Sequence, residues 1–214
     1  AIEQGRLVFQ NVRKVFTYLV ADDFSELFLF FMSVGFGLPL PLLPAQILWI
    51  NLIEDGFPDI ALTTEQETKG LMEEKPRNPA EPILNRSLKK WMAAIFFITG
   101  FAAFLAFFFI LKATGDLQKT RTMIFALMSI DSLIFAFSLR SFKRSIFRKD
   151  IFSNRYLTGA VFFSIILLLL AVYWPVTQKL LSTQSLNILE WALIFSISLT
   201  EILLIEFFKK KIFR

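Results

Sequence analysis

The sequence alternates between long apolar stretches and short polar connectors. Two stretches, residues 91–111 and 156–178, contain no charged residue, and each matches or exceeds the roughly 20 residues that a helix needs to cross a bilayer core. Six spans of this kind are predicted, at about residues 15–37, 42–61, 91–111, 123–139, 157–175 and 191–208. The pattern therefore predicts an all-α fold, a polytopic membrane bundle of six transmembrane helices.

Composition and charge agree with this class. The chain has 214 residues, is 55% hydrophobic and has a mean hydropathy of +0.58, which is too apolar for an ordinary soluble domain. With the N-terminus in the cytoplasm, all but four of the 23 Lys and Arg residues fall on the cytoplasmic side; the four are Lys112, Lys119, Arg121 and Lys179. This bias predicts cytoplasmic termini. The expected partner is membrane lipid rather than nucleic acid.

The first two spans contain acids where helices that face lipid do not tolerate them. Asp23 and Glu26 are spaced i, i+3, and Asn51, Glu54 and Asp55 are spaced i, i+3, i+4, so each set shares a helix face. A carboxylate at membrane depth costs roughly 2.5–3.5 kcal/mol on insertion scales, and such groups usually face a protein interior or a wet cavity. Two faces rich in oxygen predict a cation site. The alternative is that these residues only hold helices together, but four like charges repel unless a cation or protons neutralise them.

The positions of the other acids in the spans fit more than one role. Asp131 in the fourth span either completes the same site or bonds to a neighbour. Asp22 points about 100° away from Asp23 around the helix and is either an entry-path residue or a packing acid. For Glu201 a structural bond to a Lys or the backbone is favoured over a role in transport, and Asp59 is expected to lie at the membrane interface.

The side chains that are missing restrict the chemistry. The chain has no Cys and no His, which are the ligands that copper and zinc prefer, so the available oxygens favour hard cations. The sequence contains no GxxxxGK[ST] phosphate loop and no Ser/His pair. Gly56 and Pro58 follow the second acidic set, and we expect the helix to unwind there, which would free carbonyl oxygens for an ion.

Three segments resemble P-type cation ATPases, most closely calcium pumps of the sarcoplasmic reticulum and secretory-pathway kind and their bacterial relatives. Residues 5–14 with 23–26 resemble the start of the fifth membrane helix, residues 38–58 the following turn and sixth helix, and residues 75–83 the proline-rich loop after it. The resemblance covers essentially the whole chain. It implies that residues 1–214 form the C-terminal transmembrane transport domain of such a pump.

The resemblance implies where the ion would bind. Glu26, Asn51 and Asp55 match ligand positions of the family, and the eighth-helix ligand falls at Ser132 or Asp131. Asp23 stands where calcium pumps usually have Asn, and Glu54 where they usually have Thr. The predicted metal-binding set is Asp23, Glu26, Asn51, Glu54, Asp55 and Asp131.

The family's phosphorylated Asp lies in a DKTG segment that this sequence does not contain. The resemblance therefore implies the last six helices of a multi-pass integral membrane pump, in the plasma membrane if the source is bacterial. The partners would be the first four helices and the cytoplasmic domains, which would use Mg²⁺ and ATP. The expected transported ion is Ca²⁺. The alternatives are an H⁺, Na⁺ or K⁺ pump, a channel or secondary transporter without ATP, and a membrane scaffold.

Overall fold

The computed structural model describes residues 2–65, 82–142, 145–147 and 151–213, and within these ranges it contains helices and turns but no strand. The all-α prediction is confirmed for this part of the chain. The helices are α1 (Ile2–Gly35), α2 (Pro44–Leu48), α3 (Gly56–Thr63), α4 (Arg86–Thr114), α5 (Leu117–Leu139), α6 (Arg155–Tyr173), α7 (Pro175–Leu181) and α8 (Ile188–Ile212), and a π-helical turn (Trp49–Glu54) joins α2 to α3.

Four of these helices, α4, α5, α6 and α8, are long and apolar enough to cross a membrane. The first two predicted spans differ from them. Helix α1 has 34 residues but contains three acids in its apolar part, and the second predicted span is divided by the π-helical turn. The long connector before α4 includes residues 66–81, so most of the proline-rich segment that carries the family resemblance, residues 75–81, lies outside the described residues.

Polar side chains start most of the long helices. Asn85, Asp116, Asn154 and Asn187 each precede a helix and accept a hydrogen bond from a backbone N–H in its first turn. Such caps satisfy donors that have no partner within the helix. Gly115 ends α4 with φ +65, a left-handed conformation that glycine adopts without steric cost. The sharp turn from α4 to α5 is therefore encoded locally.

One end of the bundle is closed by contacts between loops and helix ends. The Gln46 amide donates to the Leu181 carbonyl (3.1 Å), and the Arg121 guanidinium donates to the Leu40 carbonyl (2.8 Å). These bonds tie α2 to the end of α7 and the turn after α1 to α5. The turn, α7 and the start of α5 therefore lie together at this end.

The opposite end is held by a buried ion pair. Arg140 contacts both carboxylate oxygens of Glu65 at 3.0 Å, and Asn154 donates to Glu65 at 2.8 Å. Asn11 of α1 donates to the Glu65 backbone carbonyl at 2.9 Å. Burial opposes ionisation of Glu65, but the hydrogen bonds from Arg140 and Asn154 outweigh it, so the pKa of Glu65 lies below its ordinary value. The ends of α1, α3, α5 and α6 are thereby joined.

Helix α5 lies at the centre, and most of its residues are buried against its neighbours. Helices α1 and α4 approach closely at Gly100, and the hydroxyls of Ser25 and Thr99 are 2.6 Å apart beside this contact. A small residue lets two membrane helices come close enough for such side chains to bond. The packing of α1 against α4 and of α3 against α5 fixes the side chains described next.

Candidate functional site

One face of α1 presents polar side chains to the interior at every fourth residue. Tyr18, Asp22 and Glu26 are spaced four apart, so they form a single stripe along the helix. Tyr18 is fully buried, and Glu26 is 5% exposed. This stripe is the α1 contribution to the site.

The second segment runs antiparallel to α1 and presents Asn51 and Asp55 to that stripe. The Asn51 amide donates to the Glu26 carboxylate at 3.2 Å, and the Tyr18 hydroxyl donates to Asp55 at 2.8 Å. The carboxyl group of Asp22 lies beside that of Asp55. Glu26 and Asp55 are also close enough to interact electrostatically. The two faces predicted to converge therefore do meet, through Glu26, Asn51 and Asp55.

Helix α5 closes the site from a third side with Ser132. The Ser132 hydroxyl donates to Asp55 and lies 2.7 Å from the Tyr18 hydroxyl. We call Tyr18, Asp22, Glu26, Asn51, Asp55 and Ser132 the central cluster. Within it, Glu26 Oε1 and Asp22 Oδ2 are enclosed and have no hydrogen-bond partner among the described residues. The cluster thus has oxygens that are available to a ligand.

The backbone beside the second acidic set is widened rather than unwound, which corrects the sequence-based expectation. The Asp55 N–H bonds to the Ile50 carbonyl (2.9 Å), five residues back, as in a π-helical turn. This turn directs Glu54 away from the central cluster. The Glu54 Oε1 atom instead accepts a hydrogen bond from the Trp49 indole at 2.9 Å. Glu54 and Asp55 consequently face different neighbours.

The expected free carbonyl exists, but a side chain satisfies it. Pro58 has no N–H to donate to the Glu54 carbonyl one turn back. The Ser164 hydroxyl of α6 donates to that carbonyl instead, at 2.7 Å. This oxygen is therefore used in packing α6 against the kink and is not directed at the cluster.

Three predicted site residues lie outside the central cluster, namely Glu54, which bonds to Trp49, and Asp23 and Asp131. Asp23 is exposed in the described part of the chain, because it follows Asp22 and points about 100° away around the helix. Asp131 faces α8, where its neighbours are Ser198 and Glu201. The expectation that Glu201 binds a Lys or the backbone is wrong, since neither of its carboxylate oxygens has a hydrogen-bond partner among the described residues.

Sequence reasoning left Tyr18, Asp22 and Ser132 out of the predicted set. A sequence signal for Tyr18 and Asp22 was present. Both lie at four-residue intervals from Glu26, so the three side chains share one helix face, and two of them are acids. The choice of Asp23 came from pairing it with Glu26 at i, i+3. Ser132 was indicated only by the family resemblance, which offered it as the alternative to Asp131; its residue type gave no signal, since a serine in a membrane helix commonly bonds to its own backbone.

The arrangement is suited to a hard cation. It combines carboxylate, amide and hydroxyl oxygens, which are the ligands that Ca²⁺ accepts in sets of six to eight. Among the described residues, however, no group of three or more acidic side chains is placed to hold a metal ion by itself. A shell of six to eight oxygens would therefore need donors beyond these side chains.

Comparison with known proteins gives consistent relatives. The family described as "Cation transporting ATPase, C-terminus" matches residues 39–211. The chain is 36% identical to the "Calcium-transporting ATPase" of Bacillus subtilis over 92% of its length, and 30% identical to human "Calcium-transporting ATPase type 2C member 1" over 98%. It is 29% identical to "Probable cation-transporting ATPase F" of Mycobacterium tuberculosis over 92%. The chain spans about a quarter of these relatives, 22%, 23% and 22% of their lengths.

Proposed function

The chain belongs to the family of C-terminal regions of cation-transporting ATPases, and from that premise we propose that it forms the cation-binding membrane half of a P-type pump that transports Ca²⁺. Its four apolar helices and its membrane-pump relatives identify an integral membrane protein. We further propose that α1 and the α2–α3 segment add two crossings, which makes six, with both termini in the cytoplasm of a multi-pass protein. A bacterial source would place it in the plasma membrane.

The observation that supports this proposal is the convergence of Glu26, Asn51 and Asp55 from two antiparallel segments. Tyr18 and Ser132 hold one oxygen of Asp55 by hydrogen bonds. Asn51 holds one oxygen of Glu26, and the other, Oε1, is enclosed and has no hydrogen-bond partner among the described residues. Ordering ligands by neighbouring hydrogen bonds is how binding sites maintain their geometry. In this proposal these residues replace part of the hydration shell of Ca²⁺.

The remaining ligands and the source of energy would come from the rest of the protein. Because the chain covers about a quarter of its relatives, we propose that four further membrane helices complete the coordination shell. Cytoplasmic domains would bind ATP and Mg²⁺ and transfer the phosphoryl group. This chain would then supply ion recognition, and its long helix α1 would couple the site to those domains.

The proposal is tested by Asp55→Asn in the full-length protein, with formation of the Ca²⁺-dependent phosphoenzyme as the readout. The substitution preserves the shape of the side chain but removes the negative charge of Asp55 from the central cluster, so ion-dependent phosphorylation should be lost. Asp23→Asn is the matched control, because Asp23 is exposed on another face of α1, and this variant should keep most of the signal. Normal Ca²⁺-dependent phosphoenzyme in the Asp55→Asn variant would contradict the proposal.

The identity of the ion is tested in the same assay by exchanging the cation. The relatives named as calcium transporters and the hard oxygen donors support Ca²⁺. Phosphoenzyme formation that depends on Na⁺, K⁺ or pH but not on Ca²⁺ would overturn the choice of ion and leave the assignment as a pump standing.

A further inference from the structure

A second group of buried oxygens lies between α5 and α8, apart from the central cluster. Asp131 of α5 has Ser198 and Glu201 of α8 as its side-chain neighbours. Ser198 is 2% exposed and Glu201 3% exposed. Four oxygens, namely Asp131 Oδ1, Ser198 Oγ and both carboxylate oxygens of Glu201, are enclosed without a hydrogen-bond partner among the described residues. We call Asp131, Ser198 and Glu201 the α5–α8 cluster.

Leaving these groups unpaired is costly. A buried polar atom without a partner loses its hydration without compensation, and two adjacent buried carboxylates also repel each other. A structural ion pair would solve this, as at Glu206, which pairs with Lys209 at 3.2 Å one turn further along the same helix. No described Lys or Arg plays that part at Glu201. The cluster therefore lacks the neutralising group that its neighbour has.

We propose that the α5–α8 cluster binds one divalent hard cation, at a position distinct from the central cluster. A proton shared by Asp131 and Glu201 would pair two of the four oxygens and neutralise one of the two charges. A divalent cation contacts carboxylate and hydroxyl oxygens together and balances both charges. Oxygen donors of this type are those that Ca²⁺ and Mn²⁺ accept.

A cleft of about 650 Å³ leads to this cluster from the surface of the described part of the chain. It lies between α1, α4 and α8, and Thr200 and Glu201 line it together with Phe28, Phe97 and Phe101. Its wall is mainly apolar, and Glu201 is the charged residue that lines it, with both carboxylate oxygens enclosed.

The inference is tested by counting bound ⁴⁵Ca²⁺ per molecule of full-length protein in detergent. Glu201→Gln should bind one Ca²⁺ fewer than the parent protein, and Glu201→Gln combined with Asp55→Asn should lose more than either change alone. Glu190→Gln is the matched control, because Glu190 lies at the start of the same helix and pairs with Lys119, and its stoichiometry should equal the parent's.

A milder variant keeps the test decisive if Glu201→Gln fails to fold. Ser198→Ala removes one neutral ligand and should weaken one class of Ca²⁺ site by about tenfold, which corresponds to about 1.4 kcal/mol. Unchanged stoichiometry in folded Glu201→Gln, or unchanged affinity in Ser198→Ala, overturns the inference. Loss of Ca²⁺ in Asp55→Asn but not in Glu201→Gln would refute this second site and leave the proposed function intact.

Discussion

The close contact between α1 and α4 depends on the absence of a side chain at Gly100. A Cβ at this position would lie 2.9 Å from the Ser25 backbone oxygen and 3.0 Å from the Cβ and Cδ1 atoms of Phe28. These distances are shorter than the roughly 3.5–4.0 Å at which carbon atoms pack favourably. Because the Ser25 oxygen belongs to the backbone, it cannot rotate away, and Gly100→Ala must push the two helices apart.

The expected cost follows from overpacking. Extra atoms in a packed interior typically cost about 1–3 kcal/mol. Gly159 provides a matched control, since it also lies inside a helix and a Cβ there would meet nothing within 4 Å. Gly159→Ala should be neutral or stabilise by about 0.4–1 kcal/mol through lower entropy of the unfolded chain. Gly100→Ala should therefore be clearly less stable than Gly159→Ala.

Thermal unfolding of the purified protein in detergent, followed by tryptophan fluorescence, measures this difference. At about 2–4 °C for each kcal/mol in a chain of this size, Gly100→Ala should melt several degrees below the parent, and Gly159→Ala at or above it. Separation of the helices should also break the bond between Ser25 and Thr99. Equal melting temperatures for the two alanine variants would refute the close packing of α1 on α4.

Two further predictions concern single polar contacts. Ser164→Ala should destabilise the protein by about 1–3 kcal/mol, because it leaves the buried Glu54 carbonyl unpaired. Ser196→Ala, at an exposed position, should change the melting temperature little. Equal effects of the two substitutions would contradict the role of Ser164 in satisfying that carbonyl. Arg140→Met should cost about 1–3 kcal/mol near neutral pH, since the Glu65 carboxylate loses its bidentate hydrogen bonds at a partly buried site. The pKa of Glu65 is lowered in the folded protein, so this stabilisation is complete above the ordinary value of 4.5 and is lost as pH falls through the lower folded value. The difference in stability between parent and variant should accordingly shrink below about pH 4.5, and a difference that does not depend on pH would contradict the assignment.

Much of the fold could be read from the chain. The apolar runs that predicted the last four spans correspond to α4, α5, α6 and α8, and the family resemblance is confirmed by relatives that cover most of the chain. The π-helical turn was not predicted. Gly56 and Pro58 indicated an irregular helix, but whether it unwinds or widens depends on the partners that its backbone groups find, here Ile50 and Ser164.

The candidate site was predicted in part. Glu26, Asn51 and Asp55 do come together, whereas Glu54 turns away and accepts a hydrogen bond from Trp49. Asp23 is exposed and Asp131 faces α8. Each of these two has a neighbour in sequence, Asp22 and Ser132, that occupies the place predicted for it. An error of one residue rotates a side chain by about 100° around a helix, which is enough to move it from the cluster to another surface.

The amino-acid sequence alone determined that this protein is helical and apolar enough for a membrane, that acids occur inside its spans, and to which family it belongs. Tertiary structure decided which of those acids meet. Helical periodicity relates the directions of side chains within one helix, but it does not specify how that helix is rotated about its own axis against its neighbours. That rotation is set by contacts between helices, such as Gly100 against Ser25 and Tyr18 against Asp55 and Ser132. The π-helical turn also alters the directions in which Glu54 and Asp55 point relative to the rest of the segment.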